Sequence, residues 1–143
     1  MPLRTYKQSG IIPYKRCKDG RFKVMLITAS GTGRWIIPKG LVEEGMTPRE
    51  AAAMEAYEEA GIRGRVWDEP LGTWRRSKWG GLCVIDIYLM EVEEILEEFP
   101  EAGQRERHWF GLKKAQELVL FPRLRSLLRR SFFVLNDLPV PEL

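Results

Sequence analysis

Cysteine is scarce in this sequence, with Cys17 and Cys83 the only two among 143 residues. That is too few for a disulfide framework, and their separation excludes a metal-spaced pair. Histidine is scarcer: His108 stands alone, has no clustered partner and reads as structural. No apolar run approaches the roughly 20 residues that cross a bilayer, and the segment from Met1 to Lys7 has no apolar core of signal-peptide length. Neither sign of charge dominates, since 23 basic and 20 acidic residues leave +3, too little on its own to argue nucleic acid. Repeats, low-complexity tracts and linkers are also missing. These absences lead us to expect a soluble cytoplasmic protein with free thiols, no membrane partner and a single domain over 1–143.

What is present is an ordinary globular balance, 44% apolar and 30% charged, enough to close a core. The run Val24-Met25-Leu26-Ile27 reads as a buried strand after a Lys18-Asp19-Gly20 turn. Gly10 to Tyr14 reads as a further strand, held to an edge or bulge by Pro13. Trp35 to Pro38 is extended, and strands are predicted at Trp67–Trp74, Leu82–Val92 and His108–Phe110. The clearest helix follows Thr47, with Pro48 at its first position, Glu50 completing a capping box and Gly61 as its stop. Amphipathic helices are predicted at Leu112–Leu120 and Pro122–Phe133; in the latter, Arg123, Arg125, Arg129 and Arg130 form a solvated face. Strands mixed with few helices, without strict alternation, indicate an α+β or mixed α/β domain.

Glu55, Glu58 and Glu59 stand at i, i+3 and i+4 on the capped helix and so share one face. At spacings of about 5–6 Å, like charges repel unless solvated or bridged by a cation. Oxygen ligands on a rigid element suit Mg2+ or Mn2+. Three glutamates on a good helix former also fit a plain solvated face. The surroundings decide between these readings. Gly40 precedes the helix by a short loop, and Glu55-Ala56-Tyr57-Glu58-Glu59-Ala60-Gly61-Ile62 ends it.

This arrangement over 40–62 resembles the signature box of the Nudix hydrolases, in which Gly is followed by Glu after five residues and by Arg-Glu-apolar-any-Glu-Glu-any-Gly-apolar after seven more. Met46 and Met54 stand where the box has its first Glu and its Arg. In the family that Arg is thought to orient the carboxylates. We expect the two methionines to pack together in place of the lost pair, because matched apolar residues can replace an ion pair at little cost. The resemblance implies an α/β/α sandwich, with a mixed sheet between helices and a loop–helix–loop metal site. It also implies Mg2+ or Mn2+ at Glu55, Glu58, Glu59 and the Gly40 carbonyl, with Glu59 or Glu58 as the base. The implied activity is hydrolysis of diphosphate linkages in a small polyphosphorylated substrate.

Trp35-Ile36-Ile37-Pro38-Lys39-Gly40, Gln104–Phe110 and Arg4-Thr5-Tyr6 resemble the diphosphoinositol polyphosphate phosphohydrolase branch, which also cleaves diadenosine polyphosphates. Such a fold would gather Arg4, Arg34, Lys39, Arg75, Arg76, Lys78, Arg105 and Arg107 around one cleft, and the arginine fork suits phosphate. Arg4, Arg34, Lys39, Arg76, Arg105 and Arg107 are therefore the candidate substrate contacts. Trp74, Trp79 and Tyr88 are base-stacking candidates, although aromatics in strands more often fill cores. The acidic stretch from Glu93 to Glu101 reads as a solvated loop that could instead add a base or metal ligand. Two rival readings stay open: an RNA 5′-pyrophosphohydrolase, the one route by which nucleic acid would be a partner, and a non-catalytic binding module of the same fold. A homodimer is also compatible with the sequence.

Overall fold

The computed structural model describes residues 4–141, so the five outermost residues of the 1–143 domain reading lie outside it. In chain order the elements are β1 (Thr5–Arg16), β2 (Phe22–Thr28), β3 (Trp35–Ile36), β4 (Lys39–Leu41) and α1 (Pro48–Glu55). A π-helical turn (Ala56–Ala60) extends α1. It is followed by β5 (Ile62–Val66), β6 (Gly72–Lys78), β7 (Gly81–Ile95), β8 (Arg107–Gly111), α2 (Leu112–Leu118) and α3 (Pro122–Leu135). The strands join in one mixed sheet, ordered β3-β2-β1-β7-β5, with β4 on β1, β6 on β7 and β8 on β2. Only β1 and β7 run parallel; every other strand pair is antiparallel.

Helices cover both faces. Gly40 backs onto the Glu55 carboxylate of α1. From the opposite face, a Cβ on Gly72 would meet Leu127 of α3 at 2.6 Å, and Trp74 packs on Phe121 with ring centroids 5.0 Å apart. Between the layers, Ile11, Leu26, Ile85, Leu89 and Leu127 are fully or almost fully buried. This is the α/β/α sandwich that the resemblance implies.

The sequence reading needs several corrections. Pro13 does not hold its strand to an edge, because β1 is the centre of the sheet. The Ile11 N–H donates to the Pro38 carbonyl, and the period of two puts position 13 on that same side of β1. Pairing with β2 begins only at Tyr14, so the missing donor falls in the interval between two partner strands. Of the predicted Trp67–Trp74 strand only the end is a strand: β6 begins at Gly72, and Trp67 to Leu71 form the connection from β5, where Asp68-Glu69-Pro70 breaks the run. The acidic stretch does not begin as a loop: Glu93 and Glu94 continue β7 to Ile95.

Candidate active site

The glutamate element is fixed at both ends. At its start, Thr47 accepts from the Glu50 N–H at 3.1 Å while Glu50 accepts from the Thr47 N–H at 3.0 Å, the reciprocal bonds of a capping box. The small buried side chains of Ala51 and Ala52 let α1 lie close on the sheet. At its end, Gly61 takes a left-handed φ of 63°, a conformation open to glycine without steric cost. The Arg107 guanidinium donates to the Ala60 and Gly61 carbonyls at 2.7 and 3.3 Å, supplying orphaned carbonyls with a cation where the helix dipole favours one. The last turn is π rather than α, and such turns concentrate at functional sites.

Glu55 is buried against Gly40, where any Cβ would collide with the carboxylate. Its pKa is pushed up to about 7 by burial first, then by the negative charges of Glu59, Glu58, Glu101 and Glu43. Glu59 is held by two donors distant in sequence. The Lys39 N–H reaches Oε1 at 2.9 Å, and the Arg105 guanidinium reaches Oε2 at 3.3 Å. The Glu59 and Arg105 side chains are only 12% and 13% exposed. Burial raises the pKa of Glu59, while the Lys39 amide and Arg105 pull it back. Arg105 also donates to Glu101 at 2.9 Å and to the Thr28 carbonyl at 3.1 Å. It therefore supplies from outside the helix the orienting cation whose box position is Met54.

A cleft of about 440 Å3 opens beside this element. Glu59, Lys39 and Gly40 line it, and Arg34, Arg76 and Lys78 bring positive charge to the same space. The Lys39 ammonium is lowered to about 8, chiefly by burial and then by repulsion from Lys78 and Arg76. Of the predicted substrate contacts, Arg34, Lys39, Arg76 and Arg105 line the cleft, the last with its donors already engaged. Arg107 is turned onto the helix end and the Phe99 ring, 4.8 Å away. Arg4 lies against Tyr6 at 5.6 Å.

The three glutamates and the Gly40 carbonyl are an all-oxygen donor set of the kind a hard divalent cation takes. The mutual repulsion that raises Glu55 is relieved by such an ion. Among the described residues no three acidic, histidine or cysteine side chains already converge into a metal cage, and Glu59 is committed to Arg105. The donor set fits Mg2+ or Mn2+ chemically.

Glu101, read from sequence as part of a solvated acidic loop that could add a base or metal ligand, joins the site by bonding Arg105 across an i, i+4 spacing. One further residue was not singled out. Gln8 gave no signal: it is a polar residue on β1 that turns out 3% exposed, lining the cleft, with its side-chain oxygen unpartnered. Among the aromatic candidates, Trp74 and Tyr88 are core, while Trp79 is exposed at the cleft.

Residues 11–131 match the family described as NUDIX domain. The chain belongs to the Nudix hydrolases. It is similar to Nudix hydrolase 13, mitochondrial, of Arabidopsis thaliana, with 34% identity over 90% of this chain and 74% of that protein. Diphosphoinositol polyphosphate phosphohydrolase 2 of Rattus norvegicus is 32% identical over 81% of this chain and 67% of its own length. The fold matches a crystal structure of the C. elegans Ap4A hydrolase with a TM-score of 0.77 at 22% identity, covering 92% of this chain and 99% of that one. As a Nudix hydrolase the chain is a pyrophosphohydrolase.

Proposed function

We propose that this Nudix protein is a divalent-metal-dependent hydrolase of diphosphate linkages in small polyphosphorylated molecules, namely dinucleoside polyphosphates or diphosphoinositol-type compounds. The observation that carries the reading is the meeting of opposite charges in one cleft. Glu59 faces it from the glutamate element, and Arg34, Lys39, Arg76 and Lys78 face it from loops and strands. The names of the relatives support the same substrate range.

In this reading Glu55, Glu58, Glu59 and the Gly40 carbonyl hold Mg2+ or Mn2+. When bound, such an ion would supply neutralisation of phosphate charge and a lowered pKa for a coordinated water. Arg34 and Arg76 clamp phosphate oxygens in bidentate fashion, and Lys39 and Lys78 add point charges. Glu59, the glutamate that lines the cleft, takes the proton of the attacking water, with Glu58 as the alternative base. Arg105 keeps Glu59 oriented, which removes the main motive for reading the two methionines as marks of a lost activity.

The test is incubation with Mg2+ or Mn2+ and a panel of diadenosine polyphosphates, diphosphoinositol phosphates and 5′-triphosphorylated RNA, with products resolved by chromatography. We expect turnover of at least one small substrate, lowered about 10²- to 10⁴-fold in whichever of Glu59→Gln and Glu58→Gln removes the base. Turnover of the RNA alone would move the assignment to 5′-end processing. Binding without turnover across the panel would overturn the hydrolase reading.

A further inference from the structure

The link between β6 and β7 is a two-residue turn, Trp79-Gly80, because Lys78 and Gly81 are still paired. Both turn residues have positive φ, 53° and 69°. This is the pattern of the tight hairpin turn that favours Asn-Gly, since a bulky residue is strained there. Tryptophan therefore occupies the position against local preference, and an outlier of this kind invites a functional explanation.

Its surroundings supply one. Trp79 is 51% exposed, whereas the other four tryptophans are buried or half-buried. The ring is nonetheless held in place. Tyr6 meets it edge-on at 5.2 Å, the Tyr6 hydroxyl donates to the Trp79 carbonyl at 3.4 Å, and the Lys78 ammonium sits 4.5 Å from the ring centroid. Trp79 lines the same cleft as Arg34, Lys39, Arg76 and Lys78. Two residues along β1 from Tyr6, and so on the same face of the strand, Gln8 also lines that cleft, and its side-chain oxygen is buried without a hydrogen-bond partner. A buried acceptor without a donor is costly unless a ligand satisfies it.

A flat exposed π surface, cations beside it and an unfilled acceptor together describe a nucleoside carrying several phosphates. An inositol ring has phosphates and hydroxyls but no π face. We propose that Trp79 is the stacking platform for the base of a nucleoside polyphosphate, and that Gln8 accepts a hydrogen bond from the same nucleoside. This rests on the proposed function and narrows it to nucleoside-bearing substrates.

The experiment compares ATP with inorganic tripolyphosphate, which differ by the nucleoside alone. Binding of each is measured by calorimetry without divalent metal, for wild type, Trp79→Asn, Trp79→Phe and Gln8→Met. Asparagine suits the turn, so Trp79→Asn keeps the hairpin, and melting curves verify the fold. From the strength of base–aromatic stacking, Trp79→Asn should lower the ratio of ATP to tripolyphosphate affinity about 10-fold, within a range of about 5 to 100. Trp79→Phe should keep most of the ratio, and Gln8→Met should lower it about threefold, as for a single neutral hydrogen bond. In turnover, the KM for diadenosine tetraphosphate should rise in Trp79→Asn by a larger factor than kcat falls. An unchanged affinity ratio, or equal losses on both ligands, would overturn the platform. If wild type cleaves nothing in the panel, the hydrolase reading fails, while the ATP-to-tripolyphosphate ratio still decides the subsite.

Discussion

The two walls of the cleft are built on opposite terms. On the glutamate wall the polar groups are satisfied by one another. Glu59 is bonded by the Lys39 amide and Arg105, Arg105 by Glu101 and the Thr28 carbonyl, and the helix end by Arg107. On the hairpin wall the groups are less completely satisfied, although Tyr6 and Lys78 hold Trp79. Trp79 is exposed and strained, and Gln8 holds a buried oxygen with no donor. A wall closed on itself can position a reacting atom, while an open wall has contacts left for a ligand. Mutations should therefore cost stability on the first wall and affinity on the second.

The largest stability effect should come from Arg105→Ala. It leaves Glu59 and Glu101 without their shared cation in a nearly dry setting, and breaking a buried pair costs about 3–5 kcal/mol. Urea unfolding should register that loss in the metal-free protein. In a Glu59→Gln background the same substitution should cost less than half as much, because no buried charge is left stranded. Equal costs in both backgrounds would mean that the arginine acts through packing alone, and that the glutamate wall is not electrostatically closed.

Next in size is the dependence of stability on pH. The folded pKa of Glu55 is about 7 against an ordinary 4.5. Across that interval the folded protein keeps a proton that the unfolded chain has released. Stability is then greatest near and below pH 4.5 for this group and falls as pH rises toward 7, by about 3 kcal/mol. Glu59, also raised, works in the same direction. In metal-free protein, Glu55→Gln should remove more than half of this decline between pH 5 and 7.5. Added Mg2+ should restore stability to wild type at pH 7.5 and do so less for the variant. A flat profile in wild type would contradict the burial of Glu55 as a destabilising charge.

The glutamate wall was also the more legible of the two. Its capping box, Gly61 stop and carboxylate spacing are local signals, and local signals survive into structure when nothing opposes them. What the sequence hid on that wall acts over distance. The π turn over Ala56–Ala60 has no mark in an alanine- and glutamate-rich stretch, and Arg107 reaches its end from 47 residues away. Arg105 and Arg107 drew attention as phosphate ligands because their charge is visible in sequence and their partners are not. The central position of β1 was obscured by Pro13, whose rule concerns lost hydrogen bonds and not strand order. On the hairpin wall, tight pairing of Lys78 with Gly81 places tryptophan where a turn wants asparagine. Gly80-Gly81 marked a turn beside Trp79, and what the sequence left open was that the turn's pairing would leave that ring exposed while Trp74 is buried.

The smallest effect should be opposite in sign, and it tests the comparison most sharply. At Trp79, asparagine relieves a backbone conformation that costs a bulky residue about 1–2 kcal/mol. The substitution also removes the edge-on contact with Tyr6, worth about 0.5–1.5 kcal/mol. The balance should leave Trp79→Asn as stable as wild type or more stable by up to about 1 kcal/mol, measured by urea unfolding. A residue kept only to hold the hairpin should instead destabilise the protein when replaced. If the variant unfolds more easily by more than about 1 kcal/mol, the Tyr6–Trp79 contact is a structural clamp. If it is as stable as wild type yet weaker toward ATP, the strain at this turn is retained for the ligand. A metal-site variant such as Glu55→Gln should show the same gain in stability with loss of function only through its pH-dependent charge. At Trp79 the gain should be independent of pH, because nothing in the turn titrates.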